Sequence, residues 1–172
     1  MRKLVITFCL LLVCSGAYAF DLTLKEPRSV SISAPKVAHS RPSLTPSGKF
    51  GRAVYVQAYS FTSAPIAKAL VDAARRGVKV EVILDKSQRK ETYTGATFLR
   101  NEGVPVYIDA AHAIAHNKVM VIDGQTVVTG SFNFTKAAQE KNGENLLIIR
   151  DAGLAKLYME NWEQHRQHSE EY

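Results

Sequence analysis

The stretch HNKVMVIDGQTVVTGSFNF, residues 116–134, sets a histidine and a lysine two residues apart, turns at Asp123-Gly124, and returns with Gly130-Ser131-Phe132-Asn133. An Asp-Gly pair between the apolar runs VMVI and QTVVT predicts a two-residue hairpin turn, because a type I′ turn needs positive φ at both central residues. With Ile122 facing Gln125, counting back sets Lys118 opposite Thr129 and His116 opposite Ser131. Side chains two apart on a strand share a face, so His116, Lys118, Ser131 and Asn133 are expected on one side at the open end of the hairpin. A three-residue loop would break that parity. The four offer an imidazole, a fixed cation, a hydroxyl and an amide, which together suit an oxyanion. Lysine supplies a point charge, serine and asparagine donate hydrogen bonds, and histidine can serve as nucleophile or acid–base. Phosphoryl transfer asks mainly for positioning and charge neutralisation, so this set calls for no metal and no cofactor.

The elements that must position these residues alternate along the chain. AVYVQAYSF (53–61) reads as a strand, and SAPIAKALVDAARRG as a helix with Ser63 as N-cap, Pro65 in the first turn and Gly77 as its stop. VKVEVILD (78–85) is a second strand, TGATFLRNEG (94–103) a helix ending in glycine, and VPVYID (104–109) a further strand. After the hairpin come ENLLIIR (144–150) as a strand and AGLAKLYMENWEQHRQH (152–168) as a closing helix. Strands alternating with helices predict an α/β fold, a mixed and largely parallel sheet flanked by helices.

The chain opens MRKLVITFCLLLVCSGAYAF, in which Arg2 and Lys3 precede an apolar run and the small-residue pattern Ala17-Tyr18-Ala19. This predicts a signal peptide over residues 1–19 and an exported protein, periplasmic or, alternatively, secreted. Lipidation at Cys14 is the minority reading, because Leu12-Val13 is bulky where a small residue is wanted. The apolar run is well short of the roughly 20 residues of a membrane span, so no stable membrane insertion is expected. Both cysteines, Cys9 and Cys14, fall within the signal, leaving a mature chain whose stability rests on its core. Residues 20–51, with Pro27, Pro35, Pro42 and Pro46, read as a Pro- and Ser-rich segment in which only Ser29–Ser33 alternates like a strand. Residues 52–172 are expected to form one domain, the catalytic one if the residues of the hairpin do chemistry. Without the signal, 20 Lys and Arg stand against 16 Asp and Glu, a surplus of +4 that suits a polyanion mildly and solubility equally well.

The spacing H-x-K-x4-D-x6-G-S-x-N, met by His116, Lys118, Asp123, Gly130, Ser131 and Asn133, resembles the signature of the phospholipase D superfamily. The stretch QAYSFTSAPIAKALVDAARRGVKVEVILDK is similar to the strand-helix-strand unit of the short Nuc-type bacterial endonucleases, and Glu144 stands where that group carries an acidic residue. The resemblance covers roughly residues 52–165. It implies a phospholipase D-like fold and attack by His116 on phosphorus to give a phosphohistidine. Lys118 and Asn133 would bind phosphate oxygens, assisted by Ser131, and Glu144 would hydrogen-bond the far nitrogen of His116. Asp123 and Gly130 belong to the motif with structural roles. The family builds one site from two motif copies, whereas this chain has one, so a two-fold homodimer sharing the site is implied. Members resembling this chain usually carry a further strand and helix before AVYVQAYSF, and here that unit is reduced to SVSIS.

Taken singly, each motif residue has an ordinary explanation: a bonded core histidine, a solvated lysine, polar strand ends. His39, His112, His165 and His168 read as solvated loop or helix-end residues, and Tyr59, Phe61, Phe132 and Phe134 as core, with base stacking as their functional alternative. Arg75-Arg76 and Lys86–Lys90 could contact a nucleic-acid backbone. The function implied is a metal-independent, non-specific endonuclease cleaving DNA, with RNA as a second substrate. The alternatives are a phospholipid phosphodiesterase of the same superfamily and a degenerate, non-catalytic nucleic-acid-binding relative.

Overall fold

The computed structural model describes residues 30–33, 52–89 and 95–172; the segment expected to be a signal peptide and most of the Pro- and Ser-rich segment lie outside them. The strands are β1 (Val30–Ser33), β2 (Ala53–Ala58), β3 (Lys79–Asp85), β4 (Val106–Asp109), β5 (Lys118–Ile122), β6 (Thr126–Gly130), β7 (Leu146–Arg150) and β8 (Glu170–Glu171). The helices are α1 (Ala64–Arg75), α2 (Gly95–Asn101), α3 (Lys136–Glu140) and α4 (Ala152–Gln167), with a short 3-10 turn at Lys86–Arg89. All eight strands join one sheet in the order β1-β7-β6-β5-β2-β3-β4-β8.

The expected α/β architecture is present, but the sheet is not largely parallel. Only β2-β3 and β3-β4, the pairs bridged by α1 and α2, run parallel. The remaining five pairs are antiparallel. The reason is connection length: a helix can return the chain to the same edge for parallel pairing, whereas the hairpin at 123–125 forces the next strand to run back. Strand-helix alternation stops after β4, and so does parallel pairing.

The hairpin departs from expectation in register. Asp123 and Gly124 do adopt positive φ, 57° and 64°, and Gln125 N donates to Ile122 O at 3.0 Å, as in a turn centred on them. The ladder then pairs Ile122 with Thr126 and Val119 with Thr129, leaving Gln125 as an extra residue. That single-residue slip puts Gly130, not Thr129, across from Lys118. Asp123 also closes the neighbouring strand: its carboxylate accepts from the Arg52 and Ala53 amides, and its own amide donates to Ala53 O.

Two cores follow from strand alternation. Val54, Val56, Val82, Leu84, Ile108, Met120 and Val128 face α1 and α2, packing on Ile66, Leu70, Val71 and Leu99. Val119, Val121 and Val127 face α4 through Ala155, Leu154, Tyr158 and Met159. Ser63 stands at the N-cap of α1, but its hydroxyl makes no capping bond; the helix start is held by Ser63 N and Thr62 N donating to Phe134 O. On the other face Trp162, 1% exposed, packs edge-on against Tyr55 at 4.9 Å and donates from Nε1 to Val56 O at 3.1 Å. One side chain therefore ties α4 to the centre of the sheet. Trp162→Ala is expected to lower stability by ~3–5 kcal/mol, the range for removing a large buried aromatic, and Trp162→Phe by ~1 kcal/mol for the hydrogen bond, as read from the urea denaturation midpoint.

Candidate active site

Parallel strands end where their loops cluster, and the motif gathers at the carboxyl ends of β2 and β3. The loop 110–117 enters β5 under three restraints. Ala115 N donates to Asp85 Oδ2 at 2.8 Å, Lys86 Nζ to His112 O at 2.9 Å, and Tyr59 N to Asn117 O at 2.8 Å. Burial raises the Asp85 carboxyl, but the amides of Ser87 and Ala115 outweigh it and hold the group below the usual carboxylate range, so this anchor stays ionised.

His116 projects from that loop with its ring exposed to solvent. Lys118, the first residue of β5, is only 8% exposed, and its Nζ lies 3.3 Å from both ring nitrogens of His116 and 3.0 Å from the His116 carbonyl oxygen, to which it donates. The Tyr59 ring flanks both, 4.6 Å from the imidazole centroid and 5.6 Å from the ammonium. Burial depresses the Lys118 pKa, opposed by the nearby Glu144 carboxylate. Tyr59 read as core in the sequence, and the signal that could have found it is its position just past the carboxyl end of a parallel strand.

The register slip would by alternation alone send Ser131 to the opposite face from Lys118. Gly130 interrupts that alternation. Its φ of +151° lies in the region that favours glycine, and a Cβ there would stand 2.1 Å from Asn145 O. Beyond it, Ser131 N donates to Asn145 O, Asn145 N donates back to Ser131 Oγ at 3.0 Å, and Ser131 Oγ donates to Glu144 Oε2. Asn142 Nδ2 donates to the other oxygen of Glu144 at 3.0 Å. The bond from Ser131, then that from Asn142, holds Glu144 below its ordinary pKa, with Lys118 adding its charge. Glu144 thus engages Ser131 and lies within electrostatic reach of Lys118; among the described residues no bond joins it to His116, the contact the resemblance implies. Asn133 follows with a buried Oδ1 that has no hydrogen-bond partner among the described residues.

Two groups read as free in the sequence are committed elsewhere. In the basic patches, Arg75 pairs with Glu102, Arg89 with Glu170, and Lys86 with the His112 carbonyl; Lys90 lies outside the described residues. His112, His165 and His168 are not separately solvated ends: all three point a ring nitrogen at the buried carboxylate of Asp109. His39 lies outside the described residues. The grouping was hidden because its members come from β4, a loop and the end of α4.

Comparison with known proteins places these features in context. Residues 49–166 match the family model for the cardiolipin synthase, PLD-like domain. The phospholipase D of Rickettsia conorii is 46% identical over 114 residues, 66% of this chain and 57% of that protein. The mitochondrial cardiolipin hydrolase of Xenopus laevis is 36% identical over 112 residues, 65% of this chain and 53% of that protein. The chain thus spans little more than half the length of these curated relatives. The crystal structure of Nuc, a phospholipase D family member from Salmonella typhimurium, superposes with a TM-score of 0.72 at 34% identity, covering 86% of this chain and 99% of that one. NucT from Helicobacter pylori follows with a TM-score of 0.64 at 27% identity, covering 70% and 82%.

The contact at Gly130 makes a sharp test of the site's geometry. Gly130→Ala is expected to cost ~1–3 kcal/mol for backbone strain alone and to reduce phosphodiester cleavage by displacing Ser131 and Glu144. Activity and thermal melting measured on the same preparation check both effects.

Proposed function

Because the chain belongs to the phospholipase D superfamily, we propose that it is a metal-independent phosphodiesterase working through a phosphohistidine, and that its substrate is DNA, with RNA cleaved as well. The observation that carries this reading is the exposed imidazole of His116 lying against the buried ammonium of Lys118. A nucleophile must reach its substrate, and a cation withdrawn from water acts on a developing phosphorane charge more strongly than a solvated one. In this reading His116 attacks phosphorus, and Lys118 and Asn133 hold the non-bridging oxygens. Ser131 assists them, and Glu144 steadies Ser131 and balances the charge of Lys118. Tyr59 offers a flat face beside the nucleophile on which a base can stack. The intact motif argues against a degenerate, non-catalytic binding module.

One copy of the motif supplies one such histidine, and a second must protonate the leaving oxygen. A two-fold homodimer with His116 of each chain at the axis provides it. The N-terminal sequence supports export to the periplasm or beyond, and no described helix is long and apolar enough to cross a membrane. A phospholipid phosphodiesterase is the second reading. It is favoured by Ile114, an apolar side chain 58% exposed two residues before His116, and by relatives named for lipid hydrolysis. A single exposed apolar residue is a small lipid-facing surface, so nucleic acid ranks first.

Purified protein incubated with plasmid DNA, RNA, phosphatidylcholine and cardiolipin, each with and without EDTA, separates the two readings. Cleavage of nucleic acid that survives EDTA is expected; loss on chelation with recovery on adding magnesium would overturn the proposed chemistry. His116→Ala is expected to lower turnover by at least ~10³-fold, the scale of removing a nucleophile, with an unchanged circular dichroism spectrum. Light scattering paired with activity across a dilution series tests sharing of the site: specific activity is expected to fall as the dimer dissociates.

A further inference from the structure

Away from His116, on the face of the sheet covered by α4, Asp109 ends β4 with its side chain fully buried. Its Oδ1 accepts from Ala111 N at 3.1 Å, which orients the carboxylate. Its Oδ2 then meets three imidazole nitrogens: His165 Nδ1 at 2.6 Å, His112 Nδ1 at 3.0 Å and His168 Nε2 at 3.3 Å. The three rings pack on one another with centroids 4.8, 5.1 and 5.4 Å apart, and the four potential ligand atoms all lie within 4.8 Å of one another. The residues form two short-spaced pairs, Asp109-x-x-His112 and His165-x-x-His168.

We propose that Asp109, His112, His165 and His168 form a structural binding site for a divalent cation of the zinc class. Three imidazoles and one carboxylate are a ligand set that zinc accepts. At metal–ligand bonds of ~2.0–2.1 Å a tetrahedron has ligand–ligand edges of about 3.3 Å. The three nitrogens already stand 2.6 to 3.3 Å from the carboxylate oxygen, so closing the shell asks for side-chain shifts on the order of 1 Å. His112 Nδ1 also lies 3.1 Å from Oδ1, so both carboxylate oxygens take part in the cluster. With a cation bound, each nitrogen now donating to Asp109 turns its lone pair to the metal and its proton moves to the other ring nitrogen or to solvent.

Access and support are present. The His112 side chain is 47% exposed and that of His168 37%, giving an entry path, while His165 at 14% and Asp109 at 0% form the floor. Lys86 Nζ holds the His112 carbonyl and Ser169 Oγ that of His165, so the backbones carrying two ligands are restrained. With four protein ligands the shell leaves no open position for substrate, and the cation would crosslink β4, loop 110–117 and the end of α4 rather than act in hydrolysis.

The test uses the full mature chain without a polyhistidine tag, stripped with EDTA, incubated with ZnCl2 and desalted. Retained metal is counted by plasma mass spectrometry, and thermal melting is recorded with and without zinc. One zinc per chain and a higher melting temperature are expected. Cobalt in its place is expected to give the intense visible absorption of a tetrahedral site. His165→Ala and His168→Ala should each lose the retained zinc and the melting shift, and the exposed His112→Ala, which leaves the floor intact, should weaken zinc retention at least tenfold. His116→Ala should retain zinc in full. A folded protein with neither retained zinc nor a melting shift overturns the proposal, leaving a hydrogen-bonded hub, as does zinc that persists in the His165→Ala and His168→Ala proteins.

Discussion

An ammonium group that is nearly withdrawn from water needs partners, and the arrangement around Lys118 supplies them from separate parts of the chain. The His116 carbonyl accepts one proton, the Tyr59 ring presents its face, and Glu144 provides the opposing charge. Tyr59 comes from the end of β2, Glu144 from the approach to β7, and Lys118 itself begins β5, opposite Ala58. Water would solvate this charge in an unassembled hairpin, so burying it requires the partners that only the assembled sheet brings. That coupling links the integrity of the motif to the fold more tightly than its short sequence suggests.

Two backbone features meet in the hairpin. The extra residue Gln125 slips the ladder by one and by alternation would divide the motif between the two faces of the sheet. Gly130 interrupts the alternation at this point with a φ that side-chain-bearing residues rarely adopt, letting the Asn145 carbonyl approach where a Cβ would sit. Beyond it Ser131 bonds Glu144, whose carboxylate lies within electrostatic reach of Lys118. Asp123 performs a different task, capping the start of β2 with its carboxylate while making the turn.

The loop 110–117 connects the two faces. Its second half carries His116 to Lys118, and its first half carries His112 into the cluster around Asp109. Between them Ala115 is pinned to Asp85, and the His112 carbonyl to Lys86. Restrained backbone thus separates the Asp109 cluster from His116 along the loop. The closing helix takes part too, since Trp162 fixes its middle and His165 and His168 its last turn.

Much of this was legible in the sequence because the signals are local. Hydrophobic periodicity and the stops at Gly77 and Gly103 located α1, α2, β3 and β4 to within two residues, both glycines taking positive φ. The motif spacing identified His116, Lys118, Ser131 and Asn133 as candidates, and the family resemblance added Glu144. Turn chemistry located Asp123-Gly124 but not the slip after it, since a bulge depends on which register buries Met120, Val128 and Ile122 together, and that is decided by α1 and α2. The short α3 and the two-residue β8 escaped for the same reason: each is held by contacts with distant chain, as Tyr172 N is by Val106 O, more than by its own periodicity. The predominance of antiparallel pairs and the place of Tyr59 beside His116 likewise belong to the tertiary structure. So does the convergence of His112, His165 and His168 on Asp109. Residues 56 apart in sequence leave no mark of proximity on a linear chain; only the packing of α4 across the sheet brings them together.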